Sequence, residues 1–294
     1  MSQWVWSGLN WGIRTTRYPA RRDEATGVTP GLPATRPLGA RVSAGAQLGV
    51  DRLVERCPTG ALLQREDRIN VDSRRCVHCF RCARDGADTM PWEVGYEWAA
   101  STALREAAPQ AAGPDARVAH PPSARLGRPF ARSAHIRVVD AGDCGACLHE
   151  VKQLTNPYYN LHRLGFFFTP TPRQADILLV VGAGADQMRT ALRKTLAAMP
   201  TPRTVIAVGA CALSGGVFGS SFACSGGIAS IVPVDIEVPG NPPPPLAILH
   251  ALLVATGRAE PACWASSSTR REGVTSHGPE TGGSRETAAP DGAS

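Results

Sequence analysis

Asp176-Ile-Leu-Leu-Val-Val181, followed directly by Gly182-Ala-Gly184, decides the fold. An apolar run without alternation is the pattern of a strand buried on both faces, and such strands belong to parallel sheets covered by helices. Helical periodicity follows over Asp186–Met199. The same alternation extends outward in both directions. Upstream, His135–Val139 (HIRVV) reads as a strand and the stretch from about His149 to Leu164 as a helix. Downstream, Thr204–Val208 (TVIAV) and Ile231–Val238 read as further strands, and Pro245–Thr256 as a closing helix. Strands alternating with helices imply an α/β fold, a doubly wound parallel sheet of flavodoxin-like type. Gly182-x-Gly184 invites a dinucleotide-binding reading, but Gln187 stands where the third glycine belongs. A tight strand-to-helix turn is the better reading.

In such sheets ligands gather beyond the carboxyl ends of the strands. Cys144 and Cys147 (DCGACLHE) follow the first strand, and Cys211 (VGACALSGG) follows the third. A lone C-x2-C is ambiguous between a redox dithiol, zinc and a cluster. Cys211, brought to the same crevice from another strand, turns the reading toward an iron–sulfur cluster.

A second cysteine constellation lies upstream: Cys76-Val-His-Cys79-Phe-Arg-Cys82, with Cys57-Pro58 before it. Three thiolates at C-x2-C-x2-C spacing wrap one face of a four-iron cube, and a Cys-Pro from elsewhere closes it. In two-cluster ferredoxins each run borrows its fourth ligand from the Cys-Pro of the other. Cys57, Cys76, Cys79 and Cys82 therefore belong to one cluster. By the same spacing the other cluster's thiols would fall at Gln47, Val50 and Leu53, and its closing Cys-Pro at Gly86-Ala87. All four are missing together, so the pattern is a one-cluster module on a two-cluster plan. Four thiolates also suit tetrahedral zinc, but zinc sites usually pair C-x2-C with a second C-x2-C or with histidines. His78, inside the motif, is expected to face solvent.

The chain of 294 residues allows one ordinary domain, a small one and some linker. Nine cysteines would suit a disulfide framework in an exported chain. The start MSQWVWSGLNWGIRTTRYP lacks a signal peptide's basic, apolar and small-residue succession. Without export, cysteines at ligand spacing read as cofactor ligands. No apolar run is long enough for a transmembrane helix, Leu246–Ala255 included. The net charge of +6 comes without an aromatic-interleaved basic stripe, so no nucleic acid is expected as partner.

Five segments follow from composition. Residues 1–46 are a Trp-rich lead (Trp4, Trp6, Trp11) and an irregular stretch, the lead packing on the iron–sulfur module or a partner subunit. Residues 47–98 hold the ferredoxin-like 4Fe-4S module. Residues 99–132 are rich in Ala, Pro and Arg and read as a linker. Residues 133–258 form the α/β domain. Residues 259–294 have almost no large apolar side chain and read as a disordered tail, with Cys263 an unpaired thiol.

DAGDCGACLHEV, LTNPYYNLHRLGFFFTPTPRQADILLVVG, VIAVGACALSGGVF and PVDIEVPGNPP resemble the small subunit of membrane-bound, group 4-type [NiFe] hydrogenases and the homologous NADH-quinone oxidoreductase subunit of complex I. The likeness covers roughly Arg132 to Gly257. GLNWGIRTTRYP and the cysteine motif after it resemble the ferredoxin subunit of formate hydrogenlyase, so the whole resembles a fusion of two electron-transfer subunits. The resemblance implies a second [4Fe-4S] cluster on four cysteines. Three match Cys144, Cys147 and Cys211; the fourth belongs in a PGCPP motif that here reads Pro239-Gly240-Asn241-Pro242-Pro243. Cys224 (SFACSGG) is either a substitute ligand or a small apolar core residue. Glu150 stands at the family's spacing after the C-x2-C, as a proton-moving or cluster-tuning group or as a solvent-facing helix residue. His149 and His162 read as helix-face residues.

The implied function is a non-catalytic electron-transfer subunit of a membrane-associated hydrogenase, formate hydrogenlyase-like or complex I-like oxidoreductase. Its partners would be a hydrogenase large-subunit-like chain and the membrane subunits of such an assembly, and its place the cytoplasmic face of the membrane, peripherally bound. Two alternatives stand beside it: a degenerate structural or regulatory subunit with one cluster, and a quinone-linked complex I homologue.

Overall fold

The computed structural model describes residues 3–12, 15–20, 27–29, 32–33, 35–37, 40–41, 47–65, 68–85, 90, 92–102, 126 and 128–262. One sheet is built from β1 (Ala100–Ser101), β2 (Ala134–Asp140), β3 (Phe166–Phe168), β4 (Ile177–Val181), β5 (Thr204–Val208) and β6 (Ile236–Val238). Their order across the sheet is β3-β2-β4-β5-β6-β1. The pairs from β3 to β6 are all parallel, and β1 closes the edge antiparallel to β6. The parallel strands thus run 2-1-3-4-5, the flavodoxin-like order, with its switch point between β2 and β4.

Every residue of β4 and β5 is buried, as continuous apolar runs require. Alternate side chains feed two cores. Ile177, Leu179 and Val181 pack with α1 (Ala146–Gln153) and α4 (Pro245–Ala255). Leu178 and Val180 pack with α2 (Asp186–Ala198) and α3 (Ala210–Ser214) on the opposite face. Helix α4 is apolar along its whole length apart from His250, and all its residues are buried. His250 is satisfied at both nitrogens: Nδ1 accepts the Ala99 N–H at 3.3 Å, so Nε2 donates to the Glu260 carbonyl at 3.0 Å. Among the described residues no helix is long and apolar enough to cross a membrane.

Two elements are shorter than the sequence pattern implies. The helix expected over 149–164 ends at Gln153, and Leu161–Leu164 is a separate 3-10 turn. The break is at Asn156-Pro157, since the residue before proline is pushed out of helical geometry, and the Asn156 side chain accepts the Tyr158 N–H instead. The strand expected over 231–238 is confined to Ile236–Val238, with Pro233 upstream unable to donate to a ladder. The turn at Gly182-Ala-Gly184 is as expected: both glycines have positive φ, and a Cβ on Gly182 would lie 2.6 Å from the Asp143 nitrogen.

The N-terminal region is a small antiparallel ladder, Ala40–Arg41, Arg68–Val71 and Leu62–Arg65, beside a helix at Gln47–Glu55. Leu53, Leu62, Ile69 and Met90 form its core, with Cys57 and Cys82 packed against it. The lead lies against the α/β domain and against Tyr96 and Glu97 at the end of this module. Tyr18 is buried edge-on against Tyr96, and the Thr16 N–H donates to the Tyr158 carbonyl at 2.8 Å. Trp6 and Leu9 of the helix Gln3–Trp11 are exposed.

The segment 99–132 differs from a free linker at both ends: β1 belongs to the sheet, and buried Leu126 donates its N–H to the Ala255 carbonyl. Tail residues 259–262 are likewise held, with the Ala262 N–H on the Ala99 carbonyl at 2.7 Å. The middle of the linker (103–125), the tail from residue 263 with Cys263, and Gly86-Ala87 lie outside the described residues.

Candidate metal centres

Cys57, Cys76, Cys79 and Cys82 line one pocket of about 460 Å³, open mouth included, walled by Leu53, Leu62, Val71 and Trp92. Main-chain donors are turned toward the sulfurs. The Ala61 N–H reaches Cys57 Sγ at 3.2 Å, and the N–H groups of His78 and Ala83 serve Cys76 and Cys82. His78 and Phe80 adopt positive φ, 51° and 58°, which costs a non-glycine residue roughly 1–3 kcal/mol each. Packing holds them there: Phe80 stacks on Trp92 at 4.7 Å, and His78 lies edge-on to Trp92 and Trp98. His78 is therefore not the solvent-facing residue expected; burial lowers its pKa to about 4.

Burial pushes the Cys76 thiol up to about 12, with Cys82, Cys57 and Cys79 adding to the rise, and Cys82 moves the same way. Thiolates gathered at one pocket, Cys76 and Cys82 withdrawn from water, need positive charge beside them, which the irons of a cluster would supply. Among the described residues no three or more His, Cys, Asp or Glu side chains are drawn together tightly enough to grip a single ion. Four thiols from a C-x2-C-x2-C run and a separate Cys-Pro are the ligand pattern of a four-iron cube. The donor set fits a four-iron cluster.

The second group gathers at the carboxyl ends of β2, β4 and β5. Asp140 accepts the N–H groups of Gly142 and Asp143, and Asp143 accepts those of Gly145 and Leu148, which fixes the Cys144 loop onto α1. Cys144 is exposed, while Cys147 and Cys211 are buried. Cys147 Sγ lies so close to Gly209 that a Cβ there would sit 2.5 Å away, and Gly216 makes equal room for Cys211. Burial raises Cys147 far above an ordinary thiol, with Asp143, Cys211 and Cys144 adding. Cys211 rises by burial and by the charges of Cys144, Asp143 and Cys224.

The two candidates for the fourth position are placed differently. Cys224, in the hairpin of Ser220–Ser221 and Cys224–Ser225, hydrogen-bonds through its thiol to the Ala183 carbonyl at 3.1 Å. Asn241 turns its amide nitrogen to the Val77 carbonyl at 3.3 Å, inside the other cysteine motif. The three thiols fit three corners of a cluster; Asn241 does not offer the fourth. Glu150 is half-buried, its carboxyl pKa raised by burial, within electrostatic reach of Cys147 and Tyr159. His149 and His162 make local contacts to Gln153 and the Phe166 carbonyl. The residues that sequence reading missed are Arg74, Ser214 and Glu237, none of which belongs to a spacing motif.

Residues 144–255 match the family described as NADH ubiquinone oxidoreductase, 20 Kd subunit. Formate hydrogenlyase subunit 7 of Escherichia coli K12 is 39% identical over 137 residues, 47% of this chain and 54% of that protein, so this chain spans about half its length. An uncharacterized protein of Methanocaldococcus jannaschii is 38% identical over 128 residues, 44% of this chain and 86% of its own length. Among solved structures, a chain of the membrane-bound sulfane sulfur reductase, an archaeal respiratory membrane complex, aligns over 44% of this chain and 71% of its own, at 26% identity and a TM-score of 0.40. Cys57 to Cys82 lie upstream of the family match.

Proposed function

Since the chain belongs to the family of the 20 Kd subunit of NADH ubiquinone oxidoreductase, we propose that it is an electron-transfer subunit of a membrane-associated, hydrogenase-like or complex I-like oxidoreductase. It carries no substrate chemistry of its own. One observation bears most of the weight: four cysteines from two separate sequence segments line one largely apolar pocket, with main-chain N–H groups aimed at the sulfurs of Cys57, Cys76 and Cys82.

A [4Fe-4S] cluster supplies one-electron chemistry when bound there. The chain's own residues do the rest. Cys57, Cys76, Cys79 and Cys82 hold it; Leu53, Val71 and Trp92 keep the pocket dry; the N–H groups of Ala61, His78 and Ala83 stabilise thiolate charge. Cys144, Cys147 and Cys211 would hold a second cluster, with Cys224, within electrostatic reach of Cys211, as the candidate fourth thiol. Glu150 would tune that site or relay a proton beside it. Its partners would be a hydrogenase large-subunit-like chain and membrane subunits, with this subunit peripheral on the cytoplasmic face; the likeness to formate hydrogenlyase subunit 7 supports a place in a multisubunit assembly. The ferredoxin-like module fused to the small-subunit-like domain belongs to the same proposal.

A second reading, a structural subunit with one cluster, is favoured at one point by Asn241, whose amide bonds the Val77 carbonyl instead of supplying a fourth thiolate. A quinone-linked complex I homologue would differ in partner rather than in this chain's sites. Anaerobic reconstitution followed by iron and acid-labile sulfide analysis separates the main readings. Two clusters per chain support the wire, one supports the structural reading, and none at Cys57, Cys76, Cys79 and Cys82 overturns the proposal.

A further inference from the structure

The contacts between the two cysteine sites converge on one short loop. Arg74 donates from Nη2 to the Leu213 carbonyl at 3.1 Å and places Nε 3.3 Å from the buried Glu237 carboxylate. Ser214 Oγ lies 3.0 Å from the Arg74 carbonyl and 3.0 Å from the Ala210 carbonyl of its own helix, so its one hydroxyl hydrogen is shared between them. Three residues on, Val77 accepts the amide of Asn241. The receiving residues come from the end of α3, from β6 and from the loop after it, which all border the Cys147–Cys211 crevice. Gly240, Asn241's neighbour, and Pro243 approach Gly209 at the same point as Cys147 Sγ.

We propose that Ser214, Glu237 and Asn241 form a built-in docking seat for the cluster-binding loop Arg74–Cys79. Asn241 then acts as a positioning residue, fixing the Cys57/Cys76/Cys79/Cys82 site beside Cys147 and Cys211 rather than completing the second ligand set. The inference rests on the first site holding a cluster. Its chemistry is specific. Only the NH₂ end of an amide can bond a carbonyl, so a cysteine at 241 could ligate iron but could not hold Val77 in this way. The position is thus spent on joining the sites, and one hydrogen bond separates the Cys76-Val77 backbone from the loop against Cys147.

The test uses the full chain, with and without reconstitution. Asn241→Ala should raise amide exchange of the Arg74–Cys79 loop about fivefold, the loss of one hydrogen bond's stabilisation, and Arg74→Ala, which also leaves the buried Glu237 carboxylate without its cation, should raise it more. In reconstituted protein Asn241→Ala should also shift the midpoint potential of the first cluster while its iron content stays at the wild-type value. Asn241→Gln, which keeps the NH₂ group, should restore part of both. Exchange and potential unchanged in both alanine variants would overturn the seat. So would an Asn241→Cys protein that gains second-site iron with loop protection intact. If wild type binds no cluster at Cys57, the electron-transfer reading fails, yet exchange of the apo chain still decides the seat. If Asn241→Ala does not fold, Arg74→Ala read by the same two measurements decides it.

Discussion

Arg74 Nε lies 3.3 Å from a carboxylate oxygen of Glu237, a side chain with only 2% of its surface exposed. A carboxylate so deeply buried is tolerable when a cation and hydrogen bonds compensate it. Removing that cation costs more than the pair itself contributes. Arg74→Ala should destabilise the chain by about 3 kcal/mol, and Glu237→Gln, which removes the charge but keeps the shape, by clearly less. Denaturant midpoints at unchanged slope measure this; equal losses in the two variants would contradict it.

Gly209 faces Cys147 directly. At φ +91 an alanine there is strained, by roughly 1–3 kcal/mol, and its Cβ would meet Sγ at 2.5 Å. Gly209→Ala should therefore displace the thiol and lower iron at the second site, leaving the Cys57 site loaded. Gly219 is the control: its φ is +63 and nothing lies within 4 Å of a Cβ there. Gly219→Ala should cost stability without touching iron content. If the two alanines give the same iron per chain, Cys147 is not a ligand.

Cys57 reaches its pocket from a different segment than Cys76, Cys79 and Cys82. Cys57→Ser should abolish the low-temperature electron spin resonance signal of the first cluster, or convert it to a three-iron form. A full-intensity, unaltered signal would remove Cys57 from the ligand set.

Asp235 accepts the Val205 N–H at 2.8 Å, yet burial raises its pKa above the ordinary carboxylate value. The folded state therefore binds this proton more tightly than the unfolded chain does. Ionisation of Asp235 costs stability above the folded pKa; that cost shrinks as pH falls through it and is gone below the unfolded pKa. Asp235→Asn retains an acceptor for Val205 and loses the charge. Its melting temperature should exceed wild type at neutral pH, with the gap closing in acid. A gap constant with pH would show that charge is not the cause.

The buried strands were legible because nothing competes with their pattern. Thr204–Val208 has its expected ends, and Ile177–Val181 starts one residue inside the apolar run. Phe166–Phe168 escaped because it falls where helical periodicity fades, and Ala100–Ser101 because a two-residue edge carries no period. At the sites, spacing identified the cysteines that line a pocket or share a strand end. It could not show where Asn241 points. Against a ligand motif Asn241 is a missing thiol; in space it is bonded to Val77, 164 residues away, by a contact that leaves no local signature.

The antiparallel strand at the sheet's edge bears on any attempt to divide this chain. Ile236–Val238 pairs on its outer side with Ala100–Ser101, residues that lie just past the upstream cysteine site. A fragment beginning near residue 133 would uncover that row of backbone donors and acceptors and take Arg74 away from Glu237. Bare, apolar strand edges recruit other strands. The excised α/β half would then be a self-associating species, and insolubility on expression would reflect the cut rather than an unstable fold.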